Sequence, residues 1–160
     1  MSKVLLIDDE EIAYLFINRY IELLDTSCVT LEWANTPEKG LEYTQNCAWD
    51  LILIDLLFGL EFKGPALIAD IKNIVSEQKT EQKTQIVAIT QLSLTNAQKQ
   101  ECINAGAKEI VTKWPSKMEM QTLLKGWLNL DEPHPSQPFL LGSIRLQLKL
   151  FRLQYQPLHV

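Results

Sequence analysis

Short, wholly apolar runs alternate along the chain with longer stretches in which apolar residues recur every three or four positions. Val4–Ile7 reads as a strand buried on both faces, and Ile12, Leu15, Phe16, Tyr20 and Leu23 follow at helical spacing. Val29, Leu31 and Trp33 alternate as in a half-covered edge strand. Thr36-Pro37 then opens a short helix with a cap residue and a proline at its first position. Leu51–Ile54 is a second buried strand, ending in Asp55, and Gly64-Pro65 starts a helix with Leu67, Ile68, Ile71, Ile74 and Val75 on one face. Ile86–Ile89 is a further strand that ends in Thr90. Thr95 with Gln98 forms a capping box, and Gly106 closes the helix it begins. Ile110 and Val111 lead to Lys113. Ser116 with Glu119 is a second capping box, followed by Met120, Leu123, Leu124 and Trp127 at helical spacing.

Five strands alternating with five helices in about 130 residues predict a doubly wound α/β fold with a parallel sheet. Ligands of such sheets bind outside the carboxyl ends of the strands, where strand order reverses. The residues standing at those ends are Asp8 and Asp9, Asp55, Thr90 and Lys113. Adjacent carboxylates repel, by roughly 4 kcal/mol for a pair about 4 Å apart at an effective dielectric near 20. Glu10 and Glu11 read as helix-start charges, since acidic side chains suit a helix N-terminus. Asp8 and Asp9 admit that reading too, or the alternative of a cation site. The tandem tetrapeptide EQKTEQKT at 77–84 reads as a solvated insertion, because two copies of a four-residue unit build no repeat architecture.

Composition narrows the functional classes. The chain has 160 residues, 46% of them hydrophobic and 22% charged, the balance of an ordinary soluble domain. Its net charge of -5 argues against a nucleic-acid or anionic-membrane surface. Cys28, Cys47 and Cys102 are widely spaced with no CxxC pair, which favours reduced thiols in the cytoplasm over a disulfide framework or zinc site. Four apolar residues before the first aspartate are too few for a signal-peptide core, and no run approaches the roughly 18 apolar residues of a membrane span. The expectation is a cytoplasmic protein with neither nucleic acid nor membrane as partner.

The stretches "LLIDDEE", "LILIDLL", "IVAIT" and "AGAKEIVTKWP", in that order, resemble the receiver domain of two-component response regulators. The resemblance spans residues 1–130 and implies a flavodoxin-like, five-stranded parallel sheet of order 2-1-3-4-5. It implies Asp55 as phosphoacceptor, and Asp8 and Asp9 holding Mg²⁺ together with Asp55 and the backbone carbonyl of Leu57. It also implies Thr90 bonding a phosphoryl oxygen and Lys113 pairing with the phosphoryl group. Elementary chemistry is consistent with this. Clustered carboxylates suit a hard cation, a carboxylate is a covalent phosphoryl acceptor, and phosphoryl transfer needs positioning and charge neutralisation above all.

The chain departs from that family in several places. Trp114 stands between Lys113 and Pro115, where proline usually follows the lysine directly, often through a cis bond. Ile110 occupies the usual place of a switch aromatic. Gly59 and Gly64 alter the loop after Asp55, and Gln91 replaces a small residue beside Thr90. Trp114 and Trp127 read as packing or partner surface.

Residues 131–138, with three prolines, read as a linker, and 139–160 as an apolar, basic tail. Periodicity leaves the tail open between strand and helix, and between packing on the domain and serving as a partner-binding or dimer-forming arm. The leading expectation is a stand-alone response regulator that takes its phosphoryl group from a histidine kinase or phosphotransfer protein. Its output would be contact with a downstream protein, or a homodimer through the tail or through the face of the fourth helix, fifth strand and fifth helix. A degenerate receiver acting as a scaffold without phosphate is the alternative. An aspartyl phosphohydrolase is disfavoured, because Leu57 stands where a second carboxylate would serve as acid–base.

Overall fold

The computed structural model describes residues 1–24, 28–78 and 83–130. Met1–Leu130 forms one compact unit. In chain order its strands are β1 (Ser2–Ile7), β2 (Val29–Ala34), β3 (Leu51–Asp55), β4 (Leu57–Phe58), β5 (Glu61–Phe62), β6 (Gln85–Thr90) and β7 (Glu109–Thr112). Five of them lie parallel in one sheet of order β2-β1-β3-β6-β7. Five helices connect and cover that sheet: α1 (Glu11–Glu22), α2 (Pro37–Asn46), α3 (Gly64–Glu77), α4 (Asn96–Ala105) and α5 (Lys117–Trp127). The alternation of apolar runs and helical stripes predicts such a parallel sheet, and its order is the flavodoxin-like one that the receiver resemblance implies.

Side-chain alternation along the strands divides the core in two. Leu5, Ile7, Ile52, Ile54, Ile86 and Ala88 face one layer with Leu67, Ile68 and Ile71 of α3. Val4, Leu6, Leu51, Leu53, Val87 and Ile89 face the other with Ala13 and Ile17 of α1 and Met120 and Leu124 of α5. The central strand β3 is buried throughout, which is why its sequence is a continuous apolar run rather than an alternating one. The helix starts follow their local signals. Thr36 Oγ1 accepts from the Lys39 N–H at 3.2 Å, and both capping boxes, Thr95/Gln98 and Ser116/Glu119, are formed.

The predicted face of α1 is not the buried one. Ala13, Ile17 and Ile21 meet the sheet, whereas Ile12, Leu15 and Phe16 are 49%, 53% and 41% exposed. Residues 12–17 are apolar without interruption, so periodicity selects the stripe with the largest side chains. The sheet instead accepts the stripe headed by the small Ala13, which allows close approach.

A second difference is a two-stranded hairpin in the loop after Asp55, where β4 runs antiparallel to β5. Its two-residue turn is Gly59-Leu60, and Gly59 has φ +60. Glycine in the first turn position is what a type II′ hairpin demands. Gln78 follows α3, and residues 79–82 of the tandem tetrapeptide lie outside the described residues. The linker 131–138 and the tail 139–160 do as well.

Candidate functional site

Residues that end adjacent strands converge at one rim of the sheet. Asp8 directly follows β1, Asp55 and Thr90 are the last residues of β3 and β6, and Lys113 directly follows β7. Parallel register brings these ends together: Ile7 is paired with Ile54, Asp55 with Ile89, and Thr90 with Thr112. Asp8, Asp55, Thr90 and Lys113 are buried, and Asp9 is exposed. Leu57, Gly59 and Gln91 line the open side, a cleft of about 270 Å³.

Lys113 organises the cluster. Its Nζ lies 2.8 Å from Asp8 Oδ2, 3.0 Å from Asp55 Oδ2 and 3.1 Å from Glu10 Oε2. Burial lowers the affinity of the amine for its proton, but the Asp8 and Asp55 carboxylates outweigh it and hold the ammonium well above the ordinary lysine range. Each carboxylate is pushed the other way by the same burial. Asp8 is raised to about 6, mainly by desolvation and further by the Asp55 charge, against the opposing pull of Lys113. Asp55 is raised by burial, opposed by Lys113 and by nearby backbone N–H groups.

Backbone donors orient the acids. The Glu10 N–H donates to Asp8 Oδ1 at 3.0 Å, the Leu56 N–H to Asp55 Oδ1 at 2.8 Å, and the Gly59 N–H to Asp9 Oδ2 at 2.9 Å. The Trp33 indole donates to the Asp8 carbonyl at 2.7 Å, tying the end of β1 to β2. Thr90 Oγ1 accepts from the Leu92 N–H at 3.1 Å.

Asp8, Asp9 and Asp55 each offer an oxygen within 4.8 Å of the others, so one ion can meet all three. Asp8 Oδ2 is buried and, among the described residues, accepts no hydrogen bond of adequate geometry. Its approach to Lys113 is therefore Coulombic, and a lone pair stays available. Oxygen ligands alone, including a buried carboxylate oxygen held by charge and not by a well-formed hydrogen bond, fit Mg²⁺.

A model of the response regulator receiver domain matches residues 4–125. The chain belongs to the response regulator receiver domain family. Solved receiver domains share its fold at low identity. A two-component response regulator from Clostridium difficile superposes with a TM-score of 0.67 at 17% identity, covering 83% of this chain and 100% of that one. A response regulator from Thermotoga maritima gives 0.67 at 16%, covering 81% and 98%. The receiver domain of a sensor histidine kinase from Pseudomonas aeruginosa, solved with a magnesium ion coordinated in its active-site cleft, gives 0.62 at 18%, covering 80% and 98%. No curated protein matches the sequence. Among the described residues of this receiver domain, no helix is long and apolar enough to cross a membrane.

The candidates taken from strand ends thus meet in the receiver's acidic pocket. Trp114 does not displace Lys113. It adopts φ 63, a left-handed conformation that bulky residues rarely take, and its ring packs 4.7 Å from that of Phe16 on α1. The extra residue is absorbed in the backbone while the ammonium still reaches Asp55. Every peptide bond among the described residues is trans. Trp127 is core, and its indole donates to Glu109.

Glu10 is more than a helix-start charge. It is the N-cap residue of α1, yet its carboxylate reaches Lys113. Local sequence carries no signal for that contact, which spans 103 positions. The Gly59 N–H on Asp9 escapes sequence reasoning for a different reason. The Gly59-Leu60 turn is a hairpin signal, but strands of two residues are too short to show alternation.

Proposed function

We infer that the chain is a phosphorylation-dependent signalling protein in which Asp55 accepts a phosphoryl group from a histidine kinase or phosphotransfer protein. The observation that carries this reading is Lys113 bridging Asp8 and Asp55 at 2.8 and 3.0 Å, beside a third carboxylate, Asp9. An Asp55 oxygen attacks phosphorus in line, the donor's leaving group departs with the bonding electrons, and an acyl phosphate forms on Asp55. Asp8, Asp9, Asp55 and the Leu57 carbonyl are the proposed holders of Mg²⁺. When bound, that ion supplies charge neutralisation for the transferring group. Lys113 gives up a carboxylate for a phosphoryl oxygen, and the Thr90 hydroxyl donates to another. Two side chains on neighbouring strands thereby report the new dianion.

The output is contact with a downstream protein. The face of α4, β7 and α5 and the apolar, basic tail 139–160 are the segments proposed for partner or homodimer contact, the tail on its sequence alone. The test is intact mass after incubation with a small phosphodonor and Mg²⁺, for the wild type beside Asp55→Asn. An adduct on the wild type alone is expected. Its absence under every condition favours a receiver that signals as a scaffold without phosphate.

A further inference from the structure

Three carboxylates share one ammonium in this site, and they are not equivalent. Asp8 and Asp55 belong to the trio whose oxygens lie close enough to hold one cation, and Glu10 does not. A divalent ion placed among that trio repels the Lys113 ammonium and takes over the two carboxylates that now hold it. Glu10, 3.1 Å from Nζ, is the one partner Lys113 can keep in both states.

Two further contacts fit Glu10 to that task. Its own N–H is bonded to Asp8 Oδ1 at 3.0 Å, which anchors the base of the side chain beside the acidic pocket. The oxygen that meets Lys113 also accepts from Gln91 Nε2 at 3.4 Å. The carboxylate therefore joins the loops after β1, β6 and β7 across the mouth of the cleft. Its side chain is 47% exposed, so its charge is only partly desolvated, and removing it leaves no buried orphan.

We propose that Glu10 is a positioning residue: it tethers the Lys113 ammonium at the mouth of the cleft, so that the lysine can yield Asp8 and Asp55 to a cation and still meet a phosphoryl oxygen. Gln91 braces the tether. This rests on the phosphoacceptor reading for its second half only, because competition between Lys113 and a cation exists whether or not Asp55 is phosphorylated.

The test is Mg²⁺ affinity of the full chain by calorimetry, joined to Asp55 loading by a small phosphodonor. Without Glu10 the ammonium settles wholly on Asp8 and Asp55 and competes harder with the metal. Glu10→Ala should weaken Mg²⁺ binding five- to tenfold and slow loading by at least as much. In a Lys113→Gln background the same substitution should change affinity less than twofold, since no lysine remains to tether. An equal loss in both backgrounds makes Glu10 a metal ligand or a source of field and overturns the proposal, as does an unchanged affinity in the wild-type background.

Glu10→Asp separates a tether from a field effect without touching Lys113. It keeps the charge but withdraws it from the ammonium, so a tether predicts behaviour like Glu10→Ala, and a field effect predicts behaviour like wild type. Mg²⁺ binding with these patterns but no adduct on Asp55 would sustain the tether and overturn the phosphoacceptor reading. No Mg²⁺ binding by the wild type overturns both.

Discussion

Lys113 Nζ and Asp8 Oδ2 stand 2.8 Å apart, with the two side chains 2% and 0% exposed to solvent. A buried ion pair of this kind repays only part of its own desolvation. Asp8 keeps the remainder as a carboxyl raised to about 6 from an ordinary value of 3.8.

That shift sets a pH dependence. A carboxyl whose folded pKa lies above its unfolded one binds its proton more tightly when folded. Stability from Asp8 therefore rises as pH falls from about 6 towards 4 and is lost as pH rises back through that window. Asp55, raised in the same direction, adds to the trend. Metal-free protein should gain about 1 kcal/mol from Asp8 between about pH 7 and pH 5. Thermal melts at the two pH values, with Asp8→Asn as the comparison, measure it. The gain should be missing from Asp8→Asn and should vanish in saturating Mg²⁺, which requires the ionised form. A wild type and an Asp8→Asn variant with parallel pH profiles would show that Asp8 does not titrate in this window.

Asp9 is exposed, and its carboxylate accepts from the Gly59 N–H at 2.9 Å. Asp9→Ala should leave the metal-free fold as stable as wild type, or slightly more so, because it relieves repulsion within the acidic trio. Mg²⁺ affinity should fall at least tenfold, and Asp55 should no longer be loaded. Calorimetry and melting curves read the two effects separately, and an unchanged affinity would sink Asp9 as a ligand.

Gly64 makes room for Leu56, the residue after Asp55. A Cβ at this position would lie 2.2 Å from Leu56 Cδ2 and 2.8 Å from Leu56 Cα, while the Gly64 N–H already donates to the Leu56 carbonyl at 3.1 Å. Backbone cannot yield as a side-chain tip can. Gly64→Ala should cost about 2 kcal/mol, within the range for overpacking a core, and should slow loading by moving Asp55. Gly59→Ala meets nothing within 4 Å and should cost about 1 kcal/mol, from its positive φ alone. Chemical denaturation of both variants checks the order, and a larger loss at Gly59 would overturn it.

Trp114 adjoins the lysine on one side and α1 on the other. Lys113 Nζ lies 6.0 Å from its ring centroid, and Phe16 packs on it at 4.7 Å. Moving the ammonium towards a phosphoryl group should change the field at this indole. Mg²⁺ and phosphorylation should therefore alter tryptophan fluorescence, and Trp114→Phe should abolish most of the change. Trp127, the last residue of α5, is buried in the core and too enclosed to report it. A response that survives Trp114→Phe would place the reporter elsewhere.

Much of the site was legible in the sequence. Apolar runs ending in Asp8, Asp55 and Thr90 are readable because a strand buried on both faces admits only apolar residues, so the first polar residue marks the rim. In contrast, β7 is a half-buried edge strand in which Thr112 precedes Lys113. That the sheet is parallel follows from helical crossovers, and its strand order was implied by the receiver resemblance. The capping boxes follow from side chains that bond the backbone three residues away. All of these are short-range rules.

What the sequence by itself determined was therefore the alternation of five strands and five helices and which residues stand near the strand ends. Periodicity and capping are local, and burial leaves its mark on composition. Only the tertiary structure decided which face of α1 meets the sheet, because six consecutive apolar residues offer several faces and the neighbouring side chains choose among them. It alone decided that Glu10 reaches Lys113 over 103 positions, that Gly59 turns a hairpin onto Asp9, and that Trp114 takes up an extra residue without dislodging the lysine. Contacts of this kind depend on where the folded sheet places its loops in space, and one-dimensional spacing carries no record of that.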